Sequence, residues 1–277
     1  MTRGAGQSSK SPESMPRLAT QKDLRAVRSL PFCYLCGGAF ARDAQINRDH
    51  VPPSSAFAKA DRDPPLKLKT HIECHKRWSV EDKKVGQLIA LKRGERPKAP
   101  RDEALRFVGA GNMIGVDNLN IDEAVWRWVS GFHAALYGTP LVLSENSWRT
   151  LRTPFPRGTI SGNTVSLQPM FHQHSMIVDA IKRNRAADNL DVLVANRGNL
   201  RYQCVWVEAD DHSKWACMFA IDIYDWKDLG GHTPAIPSRG CAGLYVADNR
   251  GAPSGAAVDR RSPIAAPNEE PLDPFGR

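Results

Sequence analysis

Three short stretches of this 277-residue chain gather side chains that ligate metals or move protons: PFCYLCGGAF (31–40), INRDHVPPSSAF (46–57) and LKLKTHIECHKRWSVEDKK (66–84). Cys33 and Cys36 form a Cys-x-x-Cys knuckle followed by Gly37 and Gly38, whose freedom at positive φ lets backbone amides wrap around a metal-bound sulfur. One knuckle supplies half of a tetrahedral site. His71 and Cys74 repeat the two-residue gap, giving Cys-x2-Cys-x34-His-x2-Cys. Three sulfurs and one imidazole make a closed, structural zinc site. His75 is the rival for the fourth position, and spacing favours His71. The alternative is a set of unrelated thiols in a reduced core.

Between the knuckles runs Arg48-Asp49-His50-Val51-Pro52-Pro53. Paired prolines stop a helix and turn the chain out of a strand into a loop, so Asp49 and His50 are expected at a strand end. A carboxylate beside an imidazole, with His75 following Cys74, is what metal-assisted phosphodiester hydrolysis requires. Cleavage needs a nucleophilic water and positive charge opposite the phosphate and the leaving oxygen. Asp49 suits a hard divalent cation, and a neutral imidazole suits a general base near neutral pH. Arg48, Lys76 and Arg77 flank these groups, where they would meet phosphates. Trp78 reads as a core anchor. Ser79 with Glu81 and Asp82 reads as a helix cap with acid in the first turn, a local stability feature.

These residues carry a resemblance. Residues 33–92 resemble the ββα-metal nuclease module of the HNH endonuclease family, in the branch whose first box reads Asp-His-Val-Pro-Pro. The resemblance implies that His50 is the general base and that Asp49 and His75 ligate a catalytic Mg2+ or Mn2+. It further implies that Cys33, Cys36, His71 and Cys74 are a structural zinc ribbon, that His75 opens the helix after the last cysteine, and that the substrate is DNA, cut to a 5′ phosphate and a 3′ hydroxyl. The sequence departs from the family in two places. No asparagine lies between His50 and His75, so another group, such as a carbonyl within residues 66–69, has to orient the base. His71 also stands where relatives usually have cysteine, a swap zinc accepts.

Charge supports the same partner. The net charge is +8, and residues 1–100 hold 20 Lys/Arg against 10 Asp/Glu, so the basic surface lies in the first third, as for a polyanion ligand, with a solvated basic tail as the competing reading. No apolar run approaches a membrane span and the first residues lack a secretory core, which reads as a cytoplasmic protein without membrane contact. Six cysteines are too few for a disulfide scaffold.

The chain reads as α+β: a small zinc-stabilised ββα-metal module followed by a larger α+β domain. Residues 1–28 read as a disordered basic arm, 29–96 as the nuclease-like module, 101–248 as an α+β domain of unassigned role, and 249–277 as a disordered tail. In the second domain the spacing predicts an amphipathic helix over 122–137, capped by Asn120 or Asp122, and another over 171–187. LRYQCVWVE and WACMFAIDIYDW predict an antiparallel hairpin. His133, His172, His174, His212, Cys217 and Cys241 lack ligand spacing and read as packing or surface. Residues 101–248 are where a homodimer or protein partner would dock. Two rivals to the nuclease follow: a zinc ribbon that binds nucleic acid without cutting, and an assembly protein whose zinc module is scaffold.

Overall fold

The structure, a computed structural model, describes residues 17–95, 100–101, 103–110, 113–116, 118–141, 149–152, 158–161, 164–167, 171–187, 190–208, 215–224 and 241–247. In chain order the elements are β1 (Arg17–Leu18), α1 (Gln21–Ala26), β2 (Ile46–His50), β3 (Lys67–His71), α2 (Ile72–Lys76), α3 (Ser79–Lys92), β4 (Phe107–Ala110), β5 (Met113–Val116) and α4 (Ile121–Tyr137). There follow β6 (Arg149–Arg152), β7 (Gly158–Ser161), β8 (Thr164–Leu167), α5 (Phe171–Ala186), β9 (Asp191–Ala195), β10 (Leu200–Glu208), β11 (Trp215–Ile223) and β12 (Cys241–Ala247). The chain thus mixes helix and strand. No described helix is long and apolar enough to cross a membrane.

A disordered arm is expected through residue 28, but residues 17–28 are structured. The Thr20 hydroxyl accepts from the Asp23 N–H (3.2 Å) and the Asp23 carboxylate accepts from the Thr20 N–H (2.9 Å), closing α1 with a capping box. Leu24 is fully buried, worth about 2 kcal/mol. Arg17 pairs with Val192, so β1 joins β9 in parallel. One buried leucine and a reciprocal cap order a segment whose composition alone would not. Residues 1–16 and 249–277 lie outside the described residues.

Six strands form the main sheet in the order β1-β9-β10-β11-β12-β6. The expected hairpin is present, with Leu200 opposite Ile223 and Glu208 opposite Trp215. Both sheet faces are covered, and β11 shows how: Cys217, Phe219, Ile221 and Ile223 join one core, while Met218 and Ala220 pack against another, as the two-residue period of a strand dictates. Ile177 and Ile181 of α5 cover the second face. On the first face lies α4, with Trp126 edge-on to Phe219 (5.7 Å between centroids) and Phe132 against Tyr202 (4.8 Å).

The helix α4 is capped by Asn120, whose side chain accepts from the Glu123 N–H, and stops at Gly138. The spacing predicts an amphipathic helix, and both of its faces are covered, since every residue from Ala124 to Ala135 is buried. The sheet takes one side, and the strands and helices of residues 29–95 take the other. The core runs across the expected boundary between the modules 29–96 and 101–248. One apolar cluster joins Phe32, Tyr34, Val51, Phe57, Leu68 and Ile89 to α4 and the sheet. Gly131 is the point of closest approach: a Cβ there would stand 2.7 Å from Val51 Cγ1 and 3.3 Å from Tyr34 Cε2. Gly131→Ala is expected to destabilise the protein by about 1–3 kcal/mol, seen as a lower midpoint in thermal melts.

His133 packs between Tyr137 (4.7 Å) and Trp206 (5.8 Å), and neither ring nitrogen has a hydrogen-bond partner. Burial alone pulls its pKa from 6.5 down to about 3. A depressed folded pKa means that this contribution to stability is complete above about pH 6.5 and is lost as pH falls towards 3. Roughly 3 kcal/mol should disappear between ~pH 7 and ~pH 4. Urea unfolding at the two pH values is expected to show a smaller loss in His133→Leu. The side chains of His172 and His174, and residue His212, lie outside the described residues.

Candidate functional site

Two groups of metal-binding side chains meet where β2, β3, α2 and α3 converge. The first is the set expected from spacing: Cys33, Cys36, His71 and Cys74, with ligand atoms all within 4.8 Å of one another. Local backbone makes the knuckle. The Gly37 N–H donates to the Cys33 carbonyl and the Cys33 N–H donates to the Gly38 carbonyl, both at 2.8 Å, and Gly37 takes φ +69°, which a side chain would strain. His71 ends β3 and presents Nδ1 at 3.4 Å from Cys36 Sγ and 4.0 Å from Cys74 Sγ. A tetrahedral ion with sulfur bonds of ~2.3 Å and a nitrogen bond of ~2.0 Å sets such pairs near ~3.5 Å, which the observed distances bracket. The cluster can hold a metal ion such as zinc.

The thiols shift in different directions, burial pushing Cys36 up. Burial opposes ionisation of Cys33, but the Thr70 hydroxyl, 3.2 Å from its sulfur, and the backbone around His71, Cys36 and Leu35 outweigh it and bring the thiol below its usual range. Burial, then the nearby Cys33 and Cys36 charges, push Cys74 up to about 12. Without a cation three thiolates repel one another, and a bound divalent ion reverses that.

The second group is Asp49, His75 and Asp82, with donor atoms again within 4.8 Å. Asp49, next to last in β2, is buried. Its Oδ2 accepts from the Tyr34 hydroxyl at 2.5 Å, and its Oδ1 lies 3.6 Å from His75 Nδ1, too far for a hydrogen bond. That nitrogen is buried without a partner. Burial raises the Asp49 pKa, with Asp82 adding and Tyr34, His75 and Arg127 opposing. An orphaned imidazole nitrogen facing a carboxylate oxygen fits a shared cation. His75 thus leaves the cysteine cluster to His71. It does not open the helix, since α2 starts at Ile72.

Asp82 lies in the first turn of α3, as expected, although Trp78 and not Ser79 stands at the cap, and the acid has more than a local role. It is buried and paired with the buried Arg127 guanidinium of α4, which stacks 4.6 Å over the Trp78 ring. His75 lies in α2 and Asp82 in α3, so no single helical period links the two. Asp82→Ala is expected to cost about 3–5 kcal/mol by stranding Arg127, checked by denaturant unfolding beside Arg127→Met/Asp82→Leu, which should recover part of the loss.

His50 is not in either group. It ends β2 as expected and is half-buried. Burial, followed by Lys67, Arg62 and Arg28, lowers its pKa to about 4. Among the described residues no carbonyl of residues 66–69 hydrogen-bonds the ring. Arg48, Lys76 and Arg77 are all exposed. Lys76 is paired with Glu73 at 2.8 Å and Arg77 lies over Trp78 at 5.0 Å.

Comparison with family models, with curated proteins and with solved structures found no match for the chain.

Proposed function

We propose that the chain is an HNH-type endonuclease that hydrolyses DNA phosphodiester bonds, built on a zinc-stabilised ββα-metal module. The observation that carries this reading is the orphaned His75 nitrogen facing buried Asp49 and Asp82, one residue along β2 from His50 and one residue after the Cys3His cluster. Cys33, Cys36, His71 and Cys74 hold structural zinc. Asp49, His75 and Asp82 hold a divalent ion, Mg2+ or Mn2+, and carboxylate oxygens with one imidazole suit either. When bound, that ion supplies positive charge to the phosphate and the departing 3′ oxygen.

The chain's own residues do the rest. Tyr34 fixes the Asp49 carboxylate, and Arg127 neutralises part of the acidic pair. His50 takes a proton from the attacking water. The water oxygen bonds to phosphorus, the bond to the 3′ oxygen breaks, and that oxygen leaves as a 3′ hydroxyl after protonation by solvent. Arg48, Lys76 and Arg77 meet flanking phosphates, which predicts steep salt dependence.

The separation of His50 from the three-donor group favours one other reading, a zinc ribbon that grips DNA without cutting it. A plasmid assay on protein of measured zinc content separates the two. Mg2+- or Mn2+-dependent nicking, abolished by EDTA and restored by excess metal, is the expected result. Binding without nicking in either metal would overturn the nuclease.

A further inference from the structure

The face of the β2–β3 pair that carries His50 holds more positive charge than the structure neutralises. Lys67 stands opposite His50 in the antiparallel register, so the two side chains share a face. Arg28 belongs to the 3-10 turn Val27–Ser29 that follows α1 and packs on β3. Arg62 lies in the loop between β2 and β3 and donates from Nε to the Phe57 carbonyl at 3.0 Å, which fixes its guanidinium. All three cations act electrostatically on the His50 ring.

Lys76, Lys83, Arg93 and Arg127 each have a carboxylate partner. Among the described residues Arg28, Arg62 and Lys67 have none within salt-bridge distance, although Arg62 acts electrostatically on Glu95. All three are partly buried, and Arg28 Nε is buried without a hydrogen-bond partner. Converging, partly desolvated cations are unfavourable until an anion joins them. Two guanidinium groups and one ammonium match an anion with several acceptor oxygens. Arg62 also lines a cleft of about 350 Å3, in which Arg93 and Lys83 are paired with Glu95 and Glu103 of the same lining.

We propose that Arg28, Arg62 and Lys67 form a backbone-phosphate site that seats duplex DNA against His50. This rests on the nuclease reading for the role of His50, though not for binding. The three are positioning residues: they orient the phosphate for the proton acceptor and take no proton themselves.

The test uses the full-length, zinc-loaded protein with a labelled DNA duplex, binding being measured without added Mg2+ between ~50 and ~200 mM salt and cleavage with Mg2+. The triple variant R28Q/R62Q/K67Q is expected to bind at least tenfold more weakly, with a log–log salt slope lower by about 2–3, since each phosphate contact contributes about 0.9. A charge-matched control, K182Q/R183Q/R197Q, changes exposed residues and should match wild type. R28K/R62K should recover most of the slope. Should the triple variant melt early, the single variants are each expected to lower the slope by about 0.9. Wild-type slope and affinity in folded variants would overturn the phosphate site, even if the protein cleaves. A wild type that never cleaves, with binding lost in the triple variant, would instead remove the nuclease and leave the site standing.

Discussion

Cys33→Ala is expected to abolish zinc binding and to melt the whole protein rather than the knuckles alone. Structural zinc contributes on the order of 10–16 kcal/mol in small zinc-dependent peptides, against a total stability of about 5–15 kcal/mol for an ordinary domain. Here the loss cannot stay local. Cys33 lies between Phe32 and Tyr34, both in the apolar cluster shared with α4 and the sheet, and Tyr34 also holds Asp49. Elemental analysis should show zinc falling from one equivalent to none, and the thermal transition should collapse to the temperature of chelator-treated wild type. A metal-free variant with a wild-type melt would overturn the structural role.

The second large effect is on chemistry. His50→Ala should lower DNA cleavage by about 10²–10⁴-fold, the usual contribution of a positioned general base, with melting and zinc content unchanged. The stability expectation follows from the surroundings: the ring is half-buried, and among the described residues it makes no hydrogen bond whose loss would strand a partner. Single-turnover cleavage with saturating Mn2+ is the measurement, because it removes product release from the rate. Cleavage at the wild-type rate would remove His50 from the mechanism and point to a proton acceptor elsewhere. The Gln and Asn variants are informative as well. Each keeps a polar side chain without the basic nitrogen, so both should be as slow as alanine.

The cysteine cluster was legible because ligand geometry fixes spacing: a knuckle needs its two-residue gap, and two matched gaps leave few alternatives. The helix α4 and the β10–β11 hairpin were legible for a similar reason, their apolar periods being long and unbroken. What surrounds them was not. The burial of α4 on both sides depends on Val51 and Tyr34 reaching Gly131, and nothing in a helical period shows a second apolar neighbour. Asp82 looked like a capping acid because its partner, Arg127, is 45 residues away. The order in residues 17–28 depends on β9, which supplies the edge that β1 joins. In each case a local rule was read correctly, and a distant element then changed its meaning.

The pairing of β1 with β9 and of Arg127 with Asp82 also sets an order in time. As the chain is synthesised, both cysteine knuckles emerge before α4 exists, so zinc can be captured early. The acidic group cannot be completed until Arg127 arrives, and the first strand waits for Val192. Such long-range closure is slow and leaves apolar surface uncovered meanwhile. A half-made chain can therefore hold a metal at its knuckles before Arg127 reaches Asp82.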